Sequence, residues 1–147
     1  MKTFKTSGFT IIELILTVAA MAILVGFSFG MYRALQGGND LENIQNIFVQ
    51  TSRRAQLLAQ ASDGDSAWGV SLQNGFLVLF QGDSFATRNP DRDETFEISP
   101  SITFPGITEV VFEKFSGRPN TSGSIILNAK NGDSRTLLLN AYGMIEY

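Results

Sequence analysis

The chain has no cysteine and no histidine in its 147 residues. Those two absences exclude disulfides, thiolate nucleophiles, Cys/His zinc sites and imidazole acid–base catalysis together. An enzyme built from this inventory would have to run on Asp, Glu, Ser, Lys or Tyr. No triad, dyad or cofactor motif assembles from them, so the expectation is a non-enzyme with no cofactor. The length suits one modest domain with a real core. Basic residues are also few. The formal charge is −3, and without Lys2 and Lys5 nine basic residues face fourteen acidic ones, giving −5. Such a chain repels nucleic acid and anionic lipid at long range.

What is present begins with an apolar run. Residues 14–31, LILTVAAMAILVGFSFGM, contain only Thr17 and Ser28 as polar members. A helix over 9–31 would be about 35 Å long, enough to span a bilayer core of ~30 Å. Lys2 and Lys5 precede it and only Arg33 follows closely. The positive-inside bias then places the amino terminus in the cytoplasm and the remainder outside, a single-pass arrangement in the cytoplasmic (inner) membrane. Glu13 interrupts the apolar character four residues after Phe9. A carboxylate at a helix centre in lipid costs about 2.5–3.5 kcal/mol on insertion scales, and less near the end of a span. Either it extends towards the headgroups, or a cation comes to meet it.

The stretch Lys5-Thr6-Ser7-Gly8-Phe9-Thr10-Ile11-Ile12-Glu13-Leu14 resembles the type III signal of type IV pilins and type II secretion pseudopilins. In that family a short basic leader ends in Gly, Phe begins the mature chain and Glu is its fifth residue. The resemblance implies that a prepilin peptidase cuts between Gly8 and Phe9, releases residues 1–8 and N-methylates Phe9. It implies filament assembly through Phe9 and Glu13, the new α-amino group of one subunit meeting the glutamate of another and favouring axial register. The implied partners are other pilin or pseudopilin subunits, the peptidase, an inner-membrane assembly platform and membrane lipid along the N-terminal helix, before release into an extracytoplasmic filament. An ordinary secretory signal cut near Ala20-Met21-Ala22 fits less well. Glu13 breaks its apolar region, and further apolar sequence continues beyond Ala22.

Gly37-Gly38-Asn39-Asp40 breaks the helical pattern, and Asn39 with Glu42 has the spacing of a capping box. From about 40 to 61, Leu41, Ile44, Phe48, Thr51, Ala55 and Leu58 recur at intervals of three and four, forming one apolar stripe. Glu42, Asn43, Asn46, Gln50, Arg53 and Arg54 supply the polar surface. The family resemblance implies one long N-terminal helix over 9–61, a membrane half followed by an amphipathic half. Gly26, Gly30 and Gly37-Gly38 are candidate points of local kinking, since glycine in a helix costs about 1 kcal/mol relative to alanine.

Beyond Asp63-Gly64-Asp65 the period changes from helix to strand. Residues 68–72 and 76–81 flank Asn74-Gly75 and predict a hairpin with a primed turn. The run FLVLF has no polar face, as in a strand covered on both sides. Further strands are expected at 95–98, 101–104, 107–115, 124–129, 135–140 and 144–147, with Asn131-Gly132 as another turn. The class is α+β, a long helix followed by an antiparallel β-rich head over 62–147. Trp68-Gly69-Val70, Phe80-Gln81-Gly82, Phe112 with Ser116-Gly117, and the tail Leu137–Asn140 followed by Gly143-Met144-Ile145 resemble minor pseudopilins and minor pilins of the GspH/FimT type. This implies a minor rather than a major subunit.

Four arginines, Arg53, Arg54, Arg88 and Arg92, are candidate contacts for DNA phosphates. They carry the alternative reading, a filament-tip minor pilin that binds a ligand in DNA uptake or adhesion. Asp91, Asp93 and Glu94 surround Arg92, which favours solvated or intersubunit charges, so DNA is not the favoured partner. Asp63-Gly64-Asp65 and Asp91-Arg92-Asp93-Glu94 are the acidic clusters nearest to a calcium site. Neither has the alternating oxygen ligands and distal Glu of an EF-hand, so no metal is expected. Val49 and Leu57 lie off the apolar stripe and are candidates for packing on a neighbouring subunit.

Overall fold

The computed structural model describes residues 8–147, with the side chains of 27–38 excepted. Lys2 and Lys5 of the expected leader lie outside that description, while Gly37-Gly38, expected to break the helical pattern, carry helical backbone. The chain forms two units, divided between Gln36 and Gly37.

Helical backbone is recorded over Ile11–Gln60, and the boundary between the units falls within it. It therefore counts as two short helices, α1 (residues 11–26) and α2 (residues 39–60), one in each unit. This corrects the expected single long N-terminal helix with a membrane half. Among the described residues no helix is long and apolar enough to cross a membrane, which removes the support for single-pass inner-membrane placement.

The second unit is α2 and eight antiparallel strands: β1 (Trp68–Gln73), β2 (Phe76–Gln81), β3 (Asn89–Glu97), β4 (Ile102–Thr103), β5 (Glu109–Phe112), β6 (Gly123–Ala129), β7 (Ser134–Leu139) and β8 (Ile145–Glu146). They make two four-stranded sheets, ordered β3-β2-β1-β5 and β4-β6-β7-β8. The spacing of the α2 stripe explains the core. Leu41, Ile44, Phe48 and Ala55 are buried, together with Ala59 one turn on. They pack with Trp68, Val70, Leu77, Leu79 and Phe112 of the first sheet and Ile125, Leu127 and Leu137 of the second. Each large side chain so buried contributes about 1.5–3 kcal/mol. Val49, expected to be available to a neighbour, is buried instead, whereas Leu57 is exposed.

The run FLVLF is covered on both faces. Leu77 and Leu79 face the main core, while Val78 and Phe80 join Ala67, Val111 and Phe85 in a smaller cluster on the other side. Phe85 sits in a short helical turn, Phe85–Thr87, folded over that face. Its ring meets Phe80 edge-on at 5.6 Å, and Glu109 Oε1 accepts from its backbone N–H at 3.0 Å.

Three local expectations need correction. Gly75 takes φ of 88° while Asn74 is not among the positive-φ residues, so the hairpin turn is of type II rather than primed. Residues 88–94, expected as loop, belong mostly to β3. Its charges and Pro90 suit an edge strand, which needs partners on one side only. Residues 107–115 yield only the four of β5, because the backbone reverses at Phe115.

Candidate assembly segment and the charged surface

In the first unit Thr10 begins α1. Its Oγ1 accepts from the Glu13 N–H at 3.4 Å and its carbonyl from the Leu14 N–H at 3.2 Å. Thr10 and Glu13 thus stand at N-cap and third helical positions, the spacing of a capping box, and Glu13 places negative charge where the helix dipole favours it. Sequence reading missed this local role, although the Thr-x-x-Glu pattern announces it. Thr17, the polar residue inside the apolar stretch, satisfies its own hydroxyl by donating to the Leu14 carbonyl at 2.8 Å.

The apolar side chains of this segment are bare. Phe9 and Ile11 are each 80 % exposed, and Ile12, Leu14, Ile15, Leu16, Val18, Met21, Ile23 and Val25 are exposed as well. They point all round the helix, and a helix apolar on every side is stable when something surrounds it. Glu13 is the one charged residue between 9 and 26, and among the described residues nothing pairs with its carboxylate. Gly8 and Gly26 have open space where a Cβ would stand. Phe9 immediately precedes the N-cap Thr10, and Glu13 lies in the first turn of α1.

The charged residues nominated on the second unit are engaged with one another. Arg54 grips Glu94 through two bonds of 2.6 Å. Arg88 reaches Asp93 at 2.7 Å and stacks on Phe85, 3.8 Å from the ring centroid. Arg92 bonds Asp63 at 2.8 Å and lies over Trp68. Lys114 pairs with Asp65. Three of the four arginines proposed for phosphate contact are thereby neutralised, and of the four only Arg53 has no ion pair among the described residues. The same contacts occupy Asp63, Asp65, Asp93 and Glu94, and no three acidic ligands converge among the described residues. These pairings join residues 5 to 49 positions apart, so no short motif foretold them. An open cleft of about 370 Å³ lies between Arg54, Leu58, Asp63, Trp68, Arg92 and Glu94, walled by the ion pairs.

Comparison with family models, curated proteins and solved structures finds no match.

Proposed function

We propose that this chain is a minor filament subunit of the pilin and pseudopilin kind, cut between Gly8 and Phe9 and assembled through its N-terminal helix. The observation that carries this reading is the bare apolar segment 9–25 directly behind a leader-like Gly8-Phe9 junction, with Glu13 as its one charge. Packing such segments from many subunits side by side would bury their side chains, and an α-amino group created at Phe9 would supply the cation that Glu13 lacks. The β-rich head without cysteine supports a minor subunit.

The ion-paired state of Arg54, Arg88 and Arg92 favours this reading over a DNA-binding filament tip, since each guanidinium would have to leave a carboxylate to take a phosphate. The test is intact mass from cells with and without an active prepilin peptidase. Loss of residues 1–8 together with gain of one methyl group on Phe9 is expected only where the peptidase is active. An uncut chain, or a cut near Ala22, would overturn the proposal.

A further inference from the structure

The chain carries two Asn-Gly steps, Asn74-Gly75 between β1 and β2 and Asn131-Gly132 between β6 and β7. Asparagine is thermolabile, most of all before glycine, whose backbone nitrogen can approach the side-chain amide carbon with no Cβ in the way. Both asparagines are exposed, and both glycines stand in open space. Sequence and exposure therefore do not separate the two steps. Hydrogen bonding does.

At Asn131 both reacting groups are held. The Gly132 N–H donates to the Ala129 carbonyl at 3.0 Å. Asn131 Oδ1 accepts from the Asp133 N–H at 3.1 Å, and its Nδ2 donates to Asp133 Oδ2 at 2.8 Å. Attack would have to break the first bond to free the nucleophile and the other two to turn the side chain. The Asp133 carboxylate also opposes negative charge building up on the nearby amide nitrogen.

At Asn74 neither group is held. Among the described residues nothing bonds the Asn74 side chain, the Asn74 carbonyl or the Gly75 N–H. The ladder closes around this peptide through the Gln73–Phe76 pair. The Ile98 N–H donates at 3.0 Å to the Gly75 carbonyl, which belongs to the next peptide. The 74–75 peptide is thus free to rotate between firmly held strands. Type I and type II turns differ by that rotation, and Gly75 accepts either sign of φ.

We infer that Asn74 is a self-modifying site, converting to an aspartyl or isoaspartyl residue with water as co-reactant, while Asn131 is protected. The Gly75 nitrogen loses its proton to solvent base and bonds to Asn74 Cγ. The Cγ–Nδ2 bond breaks, and Nδ2 leaves as ammonia after taking up a proton. Water then opens the cyclic imide, its hydroxyl going to one carbonyl carbon and its hydrogen to the Gly75 nitrogen. Hydroxyl on Cγ restores the ordinary backbone. Hydroxyl on the Asn74 backbone carbon leaves an isoaspartyl link one methylene longer. Either product adds a negative charge at the hairpin tip, where Glu97 stands exposed opposite Phe76. None of this chemistry depends on filament assembly.

The full-length chain is incubated folded in mildly alkaline buffer and unfolded in concentrated guanidinium, and its tryptic peptides are followed by mass. Conversion reads as a gain of about 1 Da. Unfolded, the two peptides should convert at comparable rates. Folded, the Asn74 peptide should convert at least about tenfold faster than the Asn131 peptide, the combined effect of the bonds that hold Asn131 and Gly132. Asp133→Ala should raise conversion at Asn131 about two- to fivefold, for the one bond it removes, and leave Asn74 unchanged. Asn74→Gln should abolish the gain in its own peptide. Equal rates in the folded chain, an unreactive Asn74, or no acceleration by Asp133→Ala overturns the assignment. So does a rate difference that persists in guanidinium, which would trace it to local sequence.

Discussion

The Phe80 ring lies flat over Gly69, its cross-strand partner: a Cβ on Gly69 would stand 2.4 Å from Phe80 Cζ. The ring fills the space that a side chain on β1 would occupy, and Phe85 closes over it from the short helical turn. The outer face of the sheet is sealed by this one substitution of ring for side chain, with the main core untouched.

Gly69→Ala is therefore expected to destabilise the second unit by about 1–3 kcal/mol through overpacking, and Phe80→Ala by about 3–5 kcal/mol through loss of the ring. The single Trp, Trp68, is 4 % exposed and neighbours Gly69, so its fluorescence during urea unfolding reports both. Equal stability of Gly69→Ala and the parent chain would contradict the contact.

The ion pairs should separate by burial. The side chains of Arg54 and Glu94 are 53 % and 44 % exposed, against 26 % and 14 % for Arg88 and Asp93. Arg54→Ala is expected to cost about 0.2–1 kcal/mol, most of it lost in high salt. Arg88→Ala removes a guanidinium from Phe85 and leaves the largely covered Asp93 carboxylate without its partner, so its cost should be about 2 kcal/mol. Unfolding in low and high salt checks both the order and the salt dependence.

Much of this architecture is written in local spacing. The stripe from Leu41 to Ala55 and the FLVLF strand are visible because burial of a helix or strand face imposes its own period. Asn74-Gly75 marks the hairpin, although the turn type was misjudged because only Gly75, not Asn74, takes positive φ. The charges of β3 hide a strand, since an edge strand tolerates residues that a central one excludes. The apolar run over 14–31 reads as one span from composition alone, yet among the described residues no helix is long and apolar enough to cross a membrane. Three of the four ion pairs on the second unit depend on chain folding over tens of residues, and no pattern along the sequence encodes them.

On the proposed function Glu13 would serve assembly and not the head. Glu13→Ala is expected to leave urea unfolding of the second unit within about 0.5 kcal/mol of the parent, as for an exposed side chain that belongs to the other unit. Leader cleavage should proceed while incorporation into filaments falls at least tenfold, measured by the share of processed subunit recovered in sheared filaments. Unimpaired incorporation of Glu13→Ala would remove the glutamate from the assembly step.

Phe115 sets exposure against backbone strain. Its ring is largely in solvent, so replacing it forfeits little burial, while its φ of +66° is one that asparagine adopts far more readily. Against a relief of about 1 kcal/mol stands the loss of the Lys114 ammonium over the ring, 4.6 Å from the centroid and worth about 0.5 kcal/mol at an exposed site. Phe115→Asn should therefore raise the stability of the second unit by about 0.5 kcal/mol, read from the urea midpoint at unchanged slope. A lower midpoint would mean that the ring supports the fold, and that its exposure is not held at a cost to stability.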